Sequence, residues 1–246
     1  MKKRFNKHKK LVFCFGIIIG VVILLFLGFL VYVGDYYEAD IKRINSFNKN
    51  SDIVMKELDD IIVFGSESNS IGFIFYPGGK VDYRAYEPLM QQMATKNVTS
   101  ILVDMPFNLA IFGLNRADDI IKNYPNIKSW YIGGHSLGGA MAATYVSNNL
   151  DKFDGLILLG AYSTSDLSKS SLNVISIYGS EDNILNIDKY NSNKKMLPSN
   201  YSELIIKGGN HSYFGFYGMQ DGDGKATISN IEQIKQTVNF IEECLK

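Results

Sequence analysis

Hydrophobic and polar positions divide the chain into one long apolar run near the N-terminus and a longer part in which short apolar runs alternate with helical patterns. The first run, residues 11–33, has 23 residues without a charge. About 20 helical residues cross a bilayer core of about 30 Å, so this run predicts one transmembrane helix. The alternation after residue 60 predicts strands separated by helices, which is typical of a mostly parallel sheet with helices on both faces.

The pattern predicts four parts: a basic tail at 1–10, a transmembrane anchor at 11–33, a stalk or first helix at 34–59, and an α/β domain at 60–246. Within that domain we expect strands at 61–64, 71–76, 100–104, 129–133, 153–159, 174–178 and 202–207. Helical patterns fall at 83–96, 117–123, 137–149, 184–196 and 227–245. Only GSESNS separates the first two strands, which predicts a hairpin there.

Charge orients the predicted anchor. Six Lys or Arg residues precede it, whereas Asp35, Glu38 and Asp40 follow it before Lys42 and Arg43. The positive-inside rule places the N-terminus in the cytoplasm and the domain outside. A cleaved signal peptide is the alternative, but the run is long for one and no suitable cleavage site follows it. We therefore predict a single-pass protein of the cell membrane with an extracytoplasmic domain.

The overall composition limits the possible partners. The formal net charge is zero, and beyond the basic tail 19 basic groups face 25 acidic ones, which does not suggest nucleic-acid binding. Cys14 lies in the apolar run and Cys244 near the C-terminus, so no disulfide is expected between them. Nothing in the composition indicates the oligomeric state.

One acidic segment, Asp221-Gly222-Asp223-Gly224, suggests a calcium loop. The register of an EF-hand would place Met219 at its first position and Asn230 at its twelfth, so the ligand pattern fails. A glycine-rich turn before Thr227, as the N-cap of the last helix, explains the segment better. No other segment has metal-ligand spacing, and we predict neither a metal nor a cofactor.

The stretch 129–140, SWYIGGHSLGGA, contains the pattern G-x-S-x-G between an apolar strand and a helical run. In that setting the serine, Ser136, lies on a tight turn with its hydroxyl exposed beyond the end of the strand. Ligands of open parallel sheets bind at such strand ends. We therefore expect Ser136 to be a nucleophile.

A serine nucleophile needs a base, and the base needs a carboxylate. His8 lies in the basic tail and the side chain of His135 should point away from the hydroxyl, which leaves His211 after the last strand. Asp182 is the best carboxylate, although it could instead cap a helix. Glu181 is an open alternative, and Asp154 and Asp166 are weaker ones. The order Ser136, Asp182, His211 is the order expected on such a sheet.

An oxyanion formed at this serine needs two backbone donors. The amide of Leu137, at a helix N-terminus, is one. For the second we favour the amide of Gly79 in the Pro77-Gly78-Gly79 turn, with Lys80 as the alternative. Tyr213, Phe214, Phe216 and Tyr217 follow the histidine and either line an acyl pocket or pack in the core.

The segments Tyr76–Gly79, Gly134–Gly139, Gly179–Asp182 and Gly208–His211 together resemble the α/β-hydrolases, over residues 60–245. The likeness is to small lidless serine hydrolases similar to dienelactone hydrolases, some of them membrane-tethered. It implies a sheet of the eight-stranded type, with or without its first strand, and hydrolysis of an ester or related acyl bond. Pro77-Gly78 replaces the usual His-Gly. Strict dienelactone relatives have a cysteine at position 136, so a serine there favours an esterase.

The connection between the strands near Gly160 and Asn173 is short, which predicts an open site without a lid or interfacial activation. We therefore expect a small-molecule acyl substrate and an acyl-enzyme intermediate. An acyltransferase or peptidase of cell-envelope components could use the same three residues, and products formed with an added alcohol or amine would identify it. A non-catalytic binding module would not react with a fluorophosphonate probe.

Overall fold

The computed structural model describes residues 2–48 and 53–245. Residues 49–52, which belong to the predicted stalk or first helix, lie outside the described residues, as do Met1 and Lys246. The chain separates into two compact units, residues 1–36 and 37–246, and each is considered by itself.

The first unit is helix α1, Lys2–Gly34, which includes most of the predicted basic tail. Its segment Val12–Gly34 has 23 residues, and the most apolar stretch of 18 among them has a mean hydropathy of 3.1. At 1.5 Å per residue such a segment is about 35 Å long, enough for a hydrocarbon core of about 30 Å. By length and composition, α1 is a candidate membrane-spanning helix.

The second unit is built on one sheet, which has eight strands in the described part of the chain, in the order β1-β2-β4-β3-β5-β6-β7-β8. The strands are β1 (Met55–Glu57), β2 (Ile61–Phe64), β3 (Ile71–Tyr76), β4 (Val98–Val103), β5 (Ser129–His135), β6 (Gly155–Leu159), β7 (Asn173–Gly179) and β8 (Ser202–Ile206). Only the β1–β2 and β2–β4 pairs are antiparallel, and every other pair is parallel. The mostly parallel sheet predicted from the apolar runs is confirmed, with a full set of eight strands.

The predicted hairpin between the first two apolar strands is wrong. β2 pairs with β4 in antiparallel register, Ile62 opposite Leu102, and β3 lies between β4 and β5. From Phe73 to Tyr76, β3 is buried at every position, as is all of β4, so both strands lie inside the sheet. The unpredicted strand β1 forms the hairpin with β2 instead.

Helices cover both faces of the sheet, and β3 shows the two layers. Its Phe73 and Phe75 lie in one buried cluster with residues of α3 and α7, whereas Ile74 and Tyr76 lie in another with residues of α4 and α5. This alternation is the period-two pattern of a strand buried on both sides. The helices of this unit are α2 (Ile41–Asn48), α3 (Glu87–Ala94), α4 (Arg116–Asn123), α5 (Leu137–Ser147), α6 (Ile187–Asn193) and α7 (Asn230–Cys244).

Three local features bear on the predictions. In the segment 34–59, the described helix α2 packs on the core through Ile44, which is 1% exposed. Helix α7 is capped by Ser229, whose hydroxyl accepts from the Glu232 amide at 3.2 Å, and not by Thr227 as predicted. The connection from β6 to β7, residues 160–172, contains no helix or strand, in line with the predicted absence of a large lid.

Candidate active site

Ser136 occupies the sharp turn between β5 and α5 and has a strained backbone, with φ at +51° and ψ at −122°. A non-glycine residue rarely adopts a positive φ, and such strain clusters at functional sites. The turn is so tight that a Cβ at either Gly134 or Gly138 would collide with the carbonyl oxygen of Tyr76. The amide of Ser136 donates to the carbonyl of Leu159 on β6 at 2.9 Å, which fixes the turn to the sheet.

His211 and Asp182 form a buried pair at the same edge of the sheet. Asp182 follows β7 and His211 follows β8, and His211 Nδ1 lies 2.8 Å from Asp182 Oδ2. Each side chain is only 1% exposed. A carboxylate at Nδ1 fixes the tautomer in which Nε2 is free to accept a proton. His211 Nε2 is buried and has no hydrogen-bond partner among the described residues.

The other oxygen of Asp182 binds the turn that follows it, but it does not cap a helix as the alternative interpretation predicted. Asp182 Oδ1 accepts from the amides of Ile184 at 3.0 Å and Leu185 at 2.8 Å. Helix α6 itself begins later, with Asn186 as its N-cap. The predicted N-cap role of Asp182 is therefore wrong, and the two amide bonds hold its carboxylate in front of the imidazole.

The alternative carboxylates bind elsewhere. Glu181 accepts from the hydroxyl of Ser180 at 2.9 Å and is exposed. Asp154 accepts from the amide of Trp130 at 3.1 Å, and Asp166 accepts from Ser168. Among the carboxylates that were considered, the structure brings Asp182 to His211.

Gly160, immediately after β6, is a site residue that sequence reasoning missed. Its φ is +52°, and a Cβ there would lie 2.9 Å from His211 Nδ1 and 3.2 Å from Asp182 Oδ2. The lack of a side chain at this position leaves room for the His211–Asp182 pair. A glycine directly after an apolar strand was the available signal, but it does not reveal what approaches the glycine.

Gly79 and Leu137, the residues of the two predicted oxyanion donors, lie close together. A Cβ on Gly79 would be 2.8 Å from Leu137 Cδ2 and 3.3 Å from Leu137 Cβ, so Gly79 packs against the Leu137 side chain. The Leu137 amide is in the first turn of α5, where no helical carbonyl precedes it. The Lys80 amide, the alternative donor, already donates to the carbonyl of Asn108 at 2.8 Å. That bond favours Gly79 over Lys80.

Asp223, from the segment first considered as a calcium loop, organises the loop that carries His211. Its Oδ2 accepts from the amide of Ser212 at 2.8 Å and from the hydroxyl of Ser212 at 2.6 Å. Its Oδ1 accepts from the amides of Gly224 at 2.8 Å and His211 at 3.3 Å. Sequence analysis missed this role because no local pattern links a carboxylate to amides twelve residues earlier.

His135 is fully buried beside the pair, where its ring contacts Tyr86. Its Nδ1 lies 2.8 Å from the hydroxyl of Tyr86, which also accepts from the amide of Gly78 at 3.2 Å. Its ring is 4.3 Å from the ring of His211 between centroids. Burial, reinforced by the neighbouring His211, holds the pKa of His135 well below its usual range. His135 is therefore neutral, and it connects the glycine turn to the histidine loop.

The aromatic residues after His211 mostly belong to the core. Phe214, Phe216 and Tyr217 are buried in the cluster that includes α3 and α7, and Tyr213 is half-buried. Core packing, the second of the two interpretations, therefore accounts for three of the four.

Comparisons with known proteins agree with this fold. A sequence profile described as the alpha/beta hydrolase family matches residues 72–235. No curated protein sequence matches the chain.

Solved structures with this fold share little sequence with the chain. A predicted CIB-like hydrolase from Thermoplasma acidophilum is 16% identical, with a TM-score of 0.57 over 78% of this chain and 99% of its own. A monoacylglycerol lipase from Paleococcus ferrophilus is 14% identical, with a TM-score of 0.58 over 77% of this chain and 100% of its own. A bacterial membrane phospholipase A is 12% identical, with a TM-score of 0.58 over 93% of this chain and 98% of its own. The profile covers most of the second unit, and the chain therefore belongs to the alpha/beta hydrolase family.

Proposed function

We propose that this chain is a membrane-anchored serine hydrolase that cleaves a carboxylic ester through an acyl-enzyme intermediate. The observation that carries the proposal is the buried His211–Asp182 hydrogen bond at the same sheet edge as the strained Ser136. Three groups from three separate loops supply a nucleophile, a base and the carboxylate that orients the base. The lipase and phospholipase among the similar structures favour an ester as the bond that is cleaved.

In the proposed mechanism, His211 Nε2 accepts the proton of Ser136 as Oγ attacks the acyl carbonyl. The negative charge that develops on the carbonyl oxygen is stabilised by the amides of Leu137 and Gly79. Collapse of the tetrahedral intermediate expels the alcohol, which takes its proton from His211. Water, deprotonated by His211, then attacks the acyl-enzyme and releases the carboxylic acid. Asp182 keeps Nδ1–H pointing at itself and stabilises the imidazolium during both halves of the reaction.

The proposed location is the outer face of the cell membrane, with α1 as an uncleaved anchor. The six basic residues before the apolar segment and the acidic residues after it support a cytoplasmic N-terminus. Protease added to intact cells should then digest the catalytic unit. Complete protection of that unit would reverse the proposed orientation.

Substitution of the nucleophile tests the proposal. Ser136→Ala should abolish both hydrolysis of p-nitrophenyl butyrate and covalent labelling by a fluorophosphonate, because no other group replaces the attacking oxygen. Ser147→Ala is the matched control: its hydroxyl lies on the same helix but donates to the Thr144 carbonyl at 2.8 Å. Undiminished turnover in Ser136→Ala would refute the assignment.

Two further outcomes separate the alternatives. Labelling of the wild type with transfer to an added alcohol in place of hydrolysis would identify an acyltransferase. No labelling of the folded wild type would favour a binding module.

A further inference from the structure

The loop Pro106–Phe112, called here the aromatic loop, presents apolar side chains beside the proposed active site. Phe107, Ile111 and Phe112 are each about half exposed, at 49%, 50% and 49%. We propose that the aromatic loop docks onto the lipid leaflet that holds α1, and that the site hydrolyses acyl esters of lipids from that leaflet. This inference rests on the proposed function and specifies its substrate class.

The exposed side chains are held on a loop of fixed shape. Between them, Leu109 and Ala110 are buried, at 6% and 1% exposed. The rings of Phe107 and Phe112 meet edge to face, with centroids 5.5 Å apart. Single exposed apolar residues are ordinary on protein surfaces, but a cluster of large ones marks an interaction site. Here three large apolar side chains fall within six residues.

The aromatic loop borders the proposed oxyanion site. The carbonyl of Asn108 accepts from the amide of Lys80, the residue after Gly79, at 2.8 Å. Leu109 Cδ2 would lie 3.6 Å from a Cβ on Gly79. An acyl chain that leaves the leaflet at this loop would therefore arrive beside the turn that carries Gly79.

The chain itself ties this region to the end of the apolar helix. Only two residues separate Gly34, where α1 ends, from Tyr37. The amide of Tyr37 donates to the carbonyl of Lys80 at 2.8 Å, and the amide of Asp82 donates to the carbonyl of Tyr37 at 2.9 Å. An extended chain reaches at most about 3.6 Å per residue, so three steps span about 11 Å. The turn that carries Gly79 is thus linked to a point close to the membrane surface.

Tyr37 also contacts the loop that carries the proposed base. Its hydroxyl accepts from the amide of Asp221 at 3.0 Å, and its ring lies 5.8 Å from that of Tyr217. Tyr37, three residues after the end of α1, therefore contacts both the segment that carries Gly79 and the loop that carries the proposed base. The short link between α1 and Tyr37 keeps the bilayer within reach of the aromatic loop. The interface of a bilayer binds half-exposed apolar and aromatic side chains of this kind.

The test uses the full chain reconstituted in phosphatidylcholine vesicles that contain 1-oleoylglycerol. Oleate release from the lipids and hydrolysis of soluble p-nitrophenyl butyrate are measured on the same vesicles. In Ile111→Ser/Phe112→Ser, oleate release should fall about tenfold or more while butyrate hydrolysis changes less than about twofold, because only the lipid substrate depends on docking. Leu150→Ser/Ile205→Ser is the matched control, since these apolar residues are similarly exposed, at 45% and 50%, but lie elsewhere.

An unchanged ratio of the two activities in the aromatic-loop variant would overturn the inference. So would a wild type that hydrolyses the butyrate but releases no oleate, and in that case the proposed ester hydrolase would stand. A wild type that cleaves neither substrate would instead refute the proposed function.

A second measurement does not depend on activity. An environment-sensitive probe on F112C, in a chain with Cys14 and Cys244 replaced by serine, should be quenched by lipids that carry a nitroxide near the headgroup. The same probe on I205C should not be quenched. Equal quenching at the two positions, or none at either, would contradict docking of the aromatic loop.

Discussion

Gly160→Ala would place a methyl group against the hydrogen bond between His211 and Asp182. The built Cβ lies 2.9 Å from His211 Nδ1, 3.1 Å from His211 Cε1 and 3.2 Å from Asp182 Oδ2. Non-bonded heavy atoms prefer separations of about 3.5–4.0 Å, so the imidazole must move by roughly 0.6–1 Å. A misplacement of about 1 Å in a catalytic group costs on the order of a hundredfold in rate.

We therefore expect kcat for p-nitrophenyl butyrate to fall about 10- to 100-fold, equivalent to about 1.4–2.7 kcal/mol of transition-state stabilisation. KM should change little, because in the proposed mechanism the displaced imidazole contacts the reacting atoms rather than the acyl chain. The φ of +52° adds a stability cost of about 1 kcal/mol for alanine, visible as a lower unfolding midpoint.

Gly218→Ala is a control that separates the effect of backbone strain from the effect of displacing the His211 imidazole. Gly218 has a φ of +83°, and a Cβ there meets nothing within 4 Å. This variant should lose stability for the same backbone reason but keep kcat within about twofold of wild type, since no group of the site is displaced. If folded Gly160→Ala retains wild-type kcat, or if both variants lose activity equally, the inference that Gly160 makes room for the pair is refuted.

Two further substitutions test the buried groups around the proposed base. Asp223→Asn should lower kcat about tenfold and the unfolding free energy by about 2 kcal/mol, because an amide cannot accept from every donor of the His211 loop. Asp221→Asn, exposed in the same segment, is its control, and equal effects in the two variants would argue against a special role for Asp223. His135→Gln should flatten the pH dependence of stability. The lowered pKa of His135 means that the unfolded chain binds a proton that the folded chain does not, so wild-type stability falls as pH drops below about 6.5, by up to about 1.4 kcal/mol per unit. If the unfolding free energies of the wild type and His135→Gln change in parallel between pH 7.5 and pH 5.5, this explanation is excluded.

The sheet was predictable because its signals are local. Continuous apolar runs such as Ile71–Tyr76 identify strands buried on both faces, and the turn around Ser136 has its glycines within five residues. Strand pairing is different: proximity in sequence suggested that β2 pairs with β3, whereas β4, which follows β3 along the chain, lies between them in the sheet. The order of the strands in the sheet therefore differs from their order along the chain.

The parts of the candidate site that the sequence did not reveal depend on long-range approach. Gly160 matters because His211, some fifty positions later, occupies the space that a side chain would take. Asp223 resembled a cation ligand because acidic residues between glycines suit both a cation and a set of amides. For both Gly160 and Asp223, the sequence gives the residue type. The residues that each one contacts depend on how two loops, far apart in the sequence, pack together.

The hydrogen bonds of Tyr37 have a practical consequence for producing a soluble form of this enzyme. A truncation at residue 60, where the apolar alternation starts, would remove the pairing of Tyr37 with Lys80 and Asp82 and the buried side chain of Ile44. It would also remove the Asp40 amide that donates to the Phe216 carbonyl at 2.7 Å. A start at Asp35 removes the apolar helix and retains all of these bonds. A truncated chain should therefore begin at one of the two residues before Tyr37, so that it loses α1 and keeps the bonds that hold the catalytic unit together.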